Sequence, residues 1–421
     1  MKIIIPIEFY RKGGVERVIV SLVSALEKYA EKIVILIYPG HLEYFQSLLP
    51  ASEVIVYESF ILNPKTIAAK KLSFVSKAIK IYNKLKFQKI SNTLSSKLHK
   101  LSIQSRINQL VYEYQIDYCL YAIINKLEPP KIFIPLTGIA YDLFWQFSPL
   151  TYSEIYKEKY NKPLKMWLDE SQLIFTISEK TSSDILKLFS EKDYRKKIKA
   201  VPLAGSPISL NSNDILDQDE IFFYFPSSFG IYKDHLTLLK AALNLAQKNL
   251  KFKLILTGKE TDSLVNGNIS LSQQSSTKEY KDYIRECHDF YQNNKEFIQE
   301  YIKGCGYAEY KDVEHYYRTC SCVVMPSKYE GFGLAISEAL LLGIPVIAAD
   351  LEVYKEQVEL YQCPDRVTFF PTGDVEALTT CLENFILNPR ARLSPAEIAQ
   401  SCRPWTWDDV AKGYIEALKS L

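Results

Sequence analysis

The stretch CVVMPSKYEGFGLAISEALL, residues 322–341, carries the strongest structural signal in this chain. Its first four residues are an uninterrupted apolar run, which predicts a buried strand from Cys322 to Met325. A loop with two glycines follows, and the apolar spacing from Leu334 to Leu341 predicts a helix. Strand, glycine loop and helix in this order form the repeating unit of a parallel α/β sheet.

The same alternation extends outward from this stretch in both directions. Short apolar runs rich in Ile and Val alternate with longer periodic segments, and this pattern predicts βαβ units. In the first half of the chain we predict strand Ile3–Ile7, helix Val15–Lys28, strand Ile33–Tyr38 and, much later, strand Ile198–Leu203. In the second half we predict strand Ile221–Phe225, helix Leu236–Gln247, strand Phe252–Leu256 and strand Pro345–Ala348.

The two groups of elements are separated by a stretch rich in Ser, Pro, Asn and Asp, from Gly205 to Glu220. Such a composition without periodicity is typical of a linker. We therefore predict an α/β fold with two Rossmann-like domains that face each other across a cleft. The N-terminal domain would span residues 1–205, the linker 206–220 and the C-terminal domain 221–403, and residues 404–421 would form a helix crossing back to the N-terminal domain. Ligands of such sheets bind at the carboxyl ends of the strands, so the cleft is the expected site.

The composition is that of an ordinary globular protein. Of the 421 residues, 47% are hydrophobic and 24% are charged, which excludes wholesale disorder. The formal net charge of +2 gives no chain-wide attraction to nucleic acid. The eight cysteines contain no C-x-x-C pair, so we expect reduced thiols and no structural metal. No apolar run reaches the roughly 20 residues that span a bilayer, and we expect a cytoplasmic protein.

One segment departs from the charge balance. From Lys65 to Arg106 there are eleven Lys or Arg residues, and no Asp or Glu occurs between Glu58 and Glu113. Part of this segment has the spacing of an amphipathic helix. It could be a solvated helix face, or it could rest on an anionic membrane surface. Nucleic acid is the weakest reading because no recognisable nucleic-acid module accompanies the charge.

The glycine loop of the opening stretch suits a phosphate group. Glycine lets the backbone approach a ligand closely, and the amides of Gly333, Leu334 and Ala335 at the helix start would bind an anion. The carboxylates of Glu330 and Glu338 are eight residues apart and could accept hydrogen bonds from two sets of hydroxyl groups. A nucleotide diphosphate sugar has this combination of groups.

At this point the sequence resembles the retaining glycosyltransferases of family 4, which have the two-domain GT-B fold. The element from Glu330 to Glu338, with its EGFG start, is similar to the E-x7-E element of that family. The resemblance covers most of the chain and includes four further stretches in the family's order. These are Gly13–Arg17, Leu173–Glu179, Pro226–His235 and Gly343–Ala348.

The resemblance implies a role for each matching residue. Glu330 would hold hydroxyls of the donor sugar, Glu338 would hold the ribose, and Lys233 would neutralise the diphosphate leaving group, with Glu330 and Lys233 the residues most directly involved in catalysis. The remaining donor contacts would come from Gly13, Gly14, Gly331, Phe332, Gly333, Leu334 and Ala335. The base would lie near Thr257, Gly258, Lys259, Gly306 and Tyr307. A fixed cation and helix-start amides stabilise a departing diphosphate without a metal, so no metal and no cofactor are expected.

The sequence departs from the family pattern at two positions. Family members often carry an Arg shortly before the diphosphate Lys, but no Arg lies between Arg195 and Arg285, and Ser228 stands near that place. Many relatives also have a His in the N-terminal domain, where Tyr141 and Asp142 replace the usual His-Asp pair. We therefore place Tyr141 and Asp142 on the acceptor side.

These observations predict a retaining hexosyltransferase. The best prediction is transfer of glucose from UDP-glucose to a hydroxyl of a glycan or lipid-linked acceptor, in polysaccharide or cell-envelope synthesis. A GDP-mannose-dependent mannosyltransferase and a non-catalytic nucleotide-sugar-binding or scaffold protein are the alternatives. A carboxylate-pair hydrolase fits less well because Glu330 and Glu338 share one loop and helix beside an anion site. An NAD oxidoreductase is disfavoured because no G-x-G-x-x-G follows the first strand.

Overall fold

The structure is a computed structural model, and it describes residues 1–8, 13–37, 42–49, 51–56, 103–150, 152–206, 208, 220–269 and 277–421. The basic segment from Lys65 to Arg106 therefore lies outside the described residues, except for its last four positions. Most of the predicted linker also lies outside them.

The first half of the chain forms a seven-stranded parallel sheet. Its strand order is β3-β2-β1-β4-β5-β6-β7, so the chain starts in the middle, winds to one edge and then returns to build the other half. This is a doubly wound topology, in which a ligand site is expected where the winding direction changes. The strands are β1 Lys2–Ile7, β2 Lys32–Ile37, β3 Glu53–Val56, β4 Tyr118–Tyr121, β5 Leu136–Ala140, β6 Leu173–Thr176 and β7 Ile198–Ala200.

The second half repeats this plan with a six-stranded parallel sheet. The strand order is β10-β9-β8-β11-β12-β13, and the first strand of the domain again lies next to the position where the winding reverses. The strands are β8 Ile221–Pro226, β9 Phe252–Thr257, β10 Ile302–Gly304, β11 Cys322–Met325, β12 Val346–Ala349 and β13 Val367–Phe370.

Helices connect the strands and cover the sheets. They are α1 Gly14–Leu26, α2 Leu42–Leu48, α3 at residues 103–114, α4 Phe144–Phe147, α5 Glu154–Glu170, α6 Glu179–Leu188, α7 His235–Gln247, α8 Thr261–Asn266, α9 Lys278–Asn293, α10 Lys295–Tyr301, α11 Tyr310–Thr319, α12 Leu334–Leu341, α13 Glu352–Tyr361, α14 Val375–Leu387, α15 Pro395–Ser401 and α16 Trp407–Lys419. None of the helices in the described part of the chain is long and apolar enough to cross a membrane.

The predicted fold class, two facing Rossmann-like domains, is confirmed. Strand β11 and helix α12 have the predicted bounds, whereas other elements differ at their ends by one to three residues. The strand predicted to run to Leu203 ends at Ala200, two residues before Pro202, which has no N–H to continue the ladder. The strand predicted to begin at Pro345 begins at Val346 for the same reason.

The last helix packs on the N-terminal sheet, although it follows the C-terminal domain in sequence. The apolar face of α16 joins the core formed by β1, β2 and α1, and the Tyr414 ring stacks on Phe175 with centroids 4.1 Å apart. The chain also crosses between the domains after the N-terminal sheet. There Gly205 lies against the backbone of α12, and a Cβ at Gly205 would be 2.8 Å from the nitrogen of Glu338. Two chain segments therefore hold the domains together behind the cleft.

Candidate functional site

The candidate site is built around the start of α12. Gly333 caps this helix with a φ of +89°, a backbone conformation that glycine adopts without strain. A Cβ at Gly333 would also lie 2.6 Å from the Tyr354 ring. The first amides of a helix have no intrahelical partner and carry the positive end of its dipole. The loop therefore presents donors for an anion at the carboxyl end of β11.

Lys233 and Glu330 meet at this loop. The Lys233 Nζ lies 2.6 Å from Glu330 Oε1, which also accepts a hydrogen bond of 3.0 Å from the Ser327 hydroxyl. Burial alone would lower the pKa of Lys233, but the Glu330 carboxylate outweighs this effect and the pKa is raised. Lys233 is therefore a fixed cation, and both side chains are at least four-fifths buried, with exposures of 19% and 10%.

Glu338 lies one helical turn deeper and is 1% exposed. Its Oε1 accepts a hydrogen bond of 2.7 Å from Arg17 Nη1, and its Oε2 accepts one of 2.6 Å from the Tyr317 hydroxyl. The Glu338 charge raises the pKa of Arg17. The carboxylate predicted to hold a ribose is thus held by an arginine from the other domain. Arg17 and Tyr317 were not singled out from the sequence, although Arg17 follows Gly14 by three residues and so shares its helix face.

Gly13 and Gly14 form the opposite wall. A Cβ at Gly14 would be 4.0 Å from the Leu334 side chain, so α1 and α12 begin opposite each other. Gly13 has a φ of +135°, and its N–H donates to Glu16 Oε2 over 3.2 Å. The glycine pair therefore allows close approach of the two helix starts, while the Gly13 amide is engaged by its own helix.

Asp142 follows β5 and faces the pair of Lys233 and Glu330. Its Oδ1 accepts a hydrogen bond of 3.3 Å from the Phe144 N–H. Burial raises the pKa of Asp142 to about 6, against the opposing effect of Lys233. The Tyr141 side chain lies in the N-terminal core and is 7% exposed. Of these two neighbours, the Asp142 side chain faces the cleft and the Tyr141 side chain faces the core.

The glycine loop contacts the N-terminal domain directly. A Cβ at Gly331 would be 2.5 Å from the Tyr141 carbonyl oxygen, and the Ser178 hydroxyl donates to the Gly331 carbonyl over 2.8 Å. The Leu143 N–H donates to the Tyr329 hydroxyl over 2.9 Å. Phe332 is 3% exposed and packs in the N-terminal core, so only its backbone can face a ligand. Ala335 is buried in the C-terminal core and likewise offers only its backbone.

The predicted base-binding residues lie together at the carboxyl ends of β9 and β10. The Gly258 N–H donates to the Gly306 carbonyl over 2.7 Å. The Thr257 hydroxyl is buried and shares a hydrogen bond of 2.8 Å with the Tyr224 hydroxyl, so it faces the core rather than a ligand. Tyr307 is 59% exposed and presents its ring beside this turn.

A row of aromatic rings extends from the site into the N-terminal domain. Tyr152 and Tyr156 stack with centroids 4.6 Å apart, and the Tyr156 and Tyr160 hydroxyls are 3.1 Å apart. Phe144, two residues after Asp142, packs edge-on against Tyr152. On the other side, Lys233 lies 5.1 Å from the centre of the Tyr232 ring. Sequence reasoning missed this row, because aromatic residues at helical spacing usually indicate core packing.

No group of three or more His, Cys, Asp or Glu side chains that could hold a metal occurs among the described residues. The eight cysteines are free thiols. His235 is fully buried and burial lowers its pKa to about 3, so it is a neutral part of the core.

The fold is the GT-B fold. The chain superimposes over its whole length on the crystal structure of Anabaena Alr3699/HepE in complex with UDP and glucose, with a TM-score of 0.63, 16% sequence identity and 100% of both chains covered. At this identity the likeness shows the fold alone.

The sequence comparisons concern the C-terminal domain and shorter stretches. Residues 211–401 match the family model described as Glycosyl transferases group 1. The chain is 38% identical over 117 residues to the lipopolysaccharide core biosynthesis mannosyltransferase LpsB of Rhizobium meliloti (strain 1021), covering 27% of this chain and 33% of that protein. It is 27% identical over 122 residues to the O-antigen chain mannosyltransferase B of Escherichia coli, covering 29% and 31%. The matches thus span about a third of the length of these relatives.

Proposed function

We propose that this protein is a glycosyltransferase that transfers a hexose from a nucleotide diphosphate sugar to a hydroxyl group, with retention of the anomeric configuration. The proposal is carried by the convergence of Lys233, Glu330 and the start of α12 at one point of the cleft, opposite Asp142. The family match of residues 211–401, which includes Lys233 and the glycine loop, supports it.

The chemistry follows from the charges at this point. Cleavage of the anomeric bond develops negative charge on the diphosphate, and a fixed ammonium beside helix-start amides stabilises that charge. Glu330 would accept hydrogen bonds from hydroxyls of the donor sugar when Lys233 turns to the phosphate. Since these groups all serve the leaving group, we favour front-face attack, in which the departing phosphate oxygen takes the proton of the acceptor.

For the transferred sugar we favour mannose over glucose. The Anabaena structure, a complex with UDP and glucose, favours UDP-glucose as the donor. However, its sequence is only 16% identical to this chain. The curated relatives are 27% and 38% identical over their matched stretches, and both are named mannosyltransferases. Their names also place them in lipopolysaccharide core and O-antigen synthesis, which supports a glycan or lipid-linked acceptor.

The acceptor would enter along the aromatic row of Tyr152 and Tyr156, with Asp142 accepting a hydrogen bond from its hydroxyl. Aromatic faces pack well against the apolar faces of sugar rings. The basic segment from Lys65 to Arg106 would bring the protein to an anionic membrane surface that carries the acceptor. Binding to vesicles of anionic lipid at low salt would support this placement, and absence of binding would remove it.

The test is a donor panel. Purified protein is incubated with GDP-mannose, UDP-glucose and UDP-galactose, and release of nucleoside diphosphate is measured with and without a lipid-linked oligosaccharide mixture. Acceptor-dependent release from one donor supports the proposal. Equal release with and without acceptor would indicate a hydrolase, whereas binding without release would indicate a non-catalytic nucleotide-sugar-binding protein.

A further inference from the structure

Arg17 joins the two domains inside the cleft. It projects from the first turn of α1, and its guanidinium donates to Glu338 on α12 over 2.7 Å. The Arg17 side chain is 33% exposed, whereas Glu338 is 1% exposed. One partner of this ion pair is therefore fixed in the core, and the other reaches it from the cleft.

Both oxygens of Glu338 already accept a hydrogen bond in this arrangement. Its second oxygen accepts from the Tyr317 hydroxyl, which is itself fully buried. Glu338 is 1% exposed and Arg17 reaches it from the cleft, so a ribose hydroxyl that approaches Glu338 Oε1 from the cleft would take the place of the Arg17 guanidinium. The displaced guanidinium would then be a cation in a half-buried cleft without its carboxylate, which is unfavourable unless another anion is near.

The diphosphate of the donor would supply that anion. The loop that begins α12 lies one helical turn, about 5.4 Å, from Glu338. Arg17 likewise lies one turn from Gly14, and Gly14 is the residue that faces Leu334 at that loop. A flexible arginine side chain can cover one helical turn by rotamer changes alone.

The negative charge of the diphosphate leaving group exceeds the single positive charge of Lys233, so a second cation would stabilise it further. A sugar nucleotide diphosphate carries two negative charges, and the departing nucleoside diphosphate carries more. Lys233 supplies one positive charge and is paired with Glu330. The sequence has no arginine between Arg195 and Lys233.

We infer that Arg17 is an exchangeable diphosphate-binding residue, paired with Glu338 in the empty cleft and with the donor diphosphate once a ribose hydroxyl takes Glu338. This inference rests on the proposed function, because it assigns a ligand to the same cleft. The ion pair across the domains would then respond to the donor, because a nucleotide diphosphate sugar carries the ribose and the diphosphate in one molecule. Arginine suits the role because its planar fork matches both carboxylate and phosphate.

The test measures three ligands on four proteins by titration calorimetry. The ligands are the nucleoside diphosphate preferred by the wild type, its monophosphate and its nucleoside. The proteins are the wild type, Arg17→Ala, Arg17→Lys and Glu356→Ala. Glu356 accepts hydrogen bonds from the backbone N–H groups of Glu179 and Lys180, so its variant removes a contact between the domains that does not involve Arg17.

We expect Arg17→Ala to raise the Kd of the diphosphate by about 10- to 100-fold, the range of a charged hydrogen bond. The Kd of the nucleoside should stay the same or fall, because Glu338 loses its competitor. Arg17→Lys should restore part of the diphosphate affinity, and Glu356→Ala should leave all three ligands unchanged.

Unchanged or tighter diphosphate binding by Arg17→Ala would overturn the inference and leave Arg17 as a simple competitor for Glu338. Equal weakening of all three ligands, with the same effect in Glu356→Ala, would also overturn it, because Arg17 would then act only through domain contact. If the wild type bound none of the nucleotides, the proposed function itself would fail. The wild-type titration therefore tests the proposed function, and the Arg17 variants test the inference.

Discussion

The ammonium of Lys233 and the carboxylate of Glu330 are both largely withdrawn from water, and each is satisfied mainly by the other. Such a pair contributes little net stability, because desolvation offsets most of the attraction. Its position at the carboxyl end of β8 and β11, beside a helix start, points instead to a ligand. Perturbed ionisable groups in a cleft are common at functional sites.

The first prediction concerns this lysine. Lys233→Ala should reduce turnover about 100-fold or more, because one preorganised donor to the leaving group is lost. Lys240→Ala is the matched control, since Lys240 is an exposed lysine on α7 whose ion pair with Glu286 is 3.8 Å long. Rates of nucleoside diphosphate release give the comparison. Similar rates in the two variants would remove Lys233 from the mechanism.

The second prediction concerns Asp142, whose pKa rises from 3.8 to about 6 in the folded protein. Between these values the folded state binds more protons than the unfolded state, so stability falls as pH rises through this window. Asp142→Asn should remove this loss. The free energy of unfolding of the variant, relative to the wild type, should increase from pH 4 to pH 6 and then level off.

Asp350→Asn provides a control, because the pKa of Asp350 is shifted in the direction opposite to that of Asp142. Hydrogen bonds from Thr372 lower the pKa of Asp350, so its carboxylate stabilises the folded state above the unfolded pKa. This variant should lose stability relative to the wild type as pH rises toward 3.8, the ordinary pKa of an Asp, and the difference should be flat from pH 4 to pH 6. A flat difference for Asp142→Asn from pH 4 to pH 6 would mean that Asp142 is well solvated.

Sequence reasoning at the scale of single residues succeeded where backbone chemistry decided the outcome. The glycine loop and its flanking glutamates form one structure because positive φ and close approach select glycine at Gly333. Arg17 was missed because its partner, Glu338, is 321 residues away in the sequence. The burial of the Tyr141 side chain was not predictable, because it depends on tertiary packing in the N-terminal core.

At the scale of elements, the contact between the glycine loop and strand β5 controls how the domains meet. A Cβ at Gly331 would lie 2.5 Å from the Tyr141 carbonyl oxygen and 2.7 Å from the Asp142 Cβ. Neither group can move without displacing the end of β5. The loop and the acceptor side therefore share one rigid contact.

Gly331→Ala should consequently separate the loop from β5. We expect kcat/KM for the donor to fall by about tenfold or more, because a displacement of about 1 Å at a site impairs alignment. Gly230→Ala is the control, since Gly230 has extended backbone and a Cβ there would meet its nearest neighbour at 3.8 Å. The prediction fails if the two variants have equal kcat/KM values at equal melting temperature.

The elements best predicted from the sequence were those with strong periodicity and glycine boundaries, such as β11 and α12. Strand ends were less predictable, because β7 stops where a proline removes a ladder donor and not where its apolar residues stop. Strand β5, with Thr137 and Gly138 at its centre, gave no apolar run. Its burial comes from the neighbouring strands, which the sequence does not reveal locally.

At the scale of the whole molecule, the C-terminal helix α16 makes the N-terminal domain dependent on the end of the chain. Its apolar face completes the core beneath β1 and α1. The two domains are therefore linked by two crossings, at Gly205 and before Trp407. The likeness of the whole chain to a GT-B structure agrees with this arrangement.

Tyr414→Ala tests the contribution of this helix. Tyr414 is fully buried and stacks on Phe175, so truncation leaves a cavity in the N-terminal core. We expect a loss of about 3–5 kcal/mol in the free energy of unfolding, measured with denaturant. Leu421→Ala, at a position that is 47% exposed, should change it by less than about 0.5 kcal/mol. Equal effects would show that α16 adds nothing to this core.

The central claim is that the start of α12, with Lys233 and Glu330, binds the diphosphate of an activated sugar. Titration calorimetry of the wild type and Lys233→Ala with UDP and with GDP tests it most directly. The account predicts that one of the two nucleotides binds to the wild type with one site per chain and that Lys233→Ala weakens it at least about tenfold. It is contradicted if neither nucleotide binds to the wild type, or if the lysine variant binds as tightly.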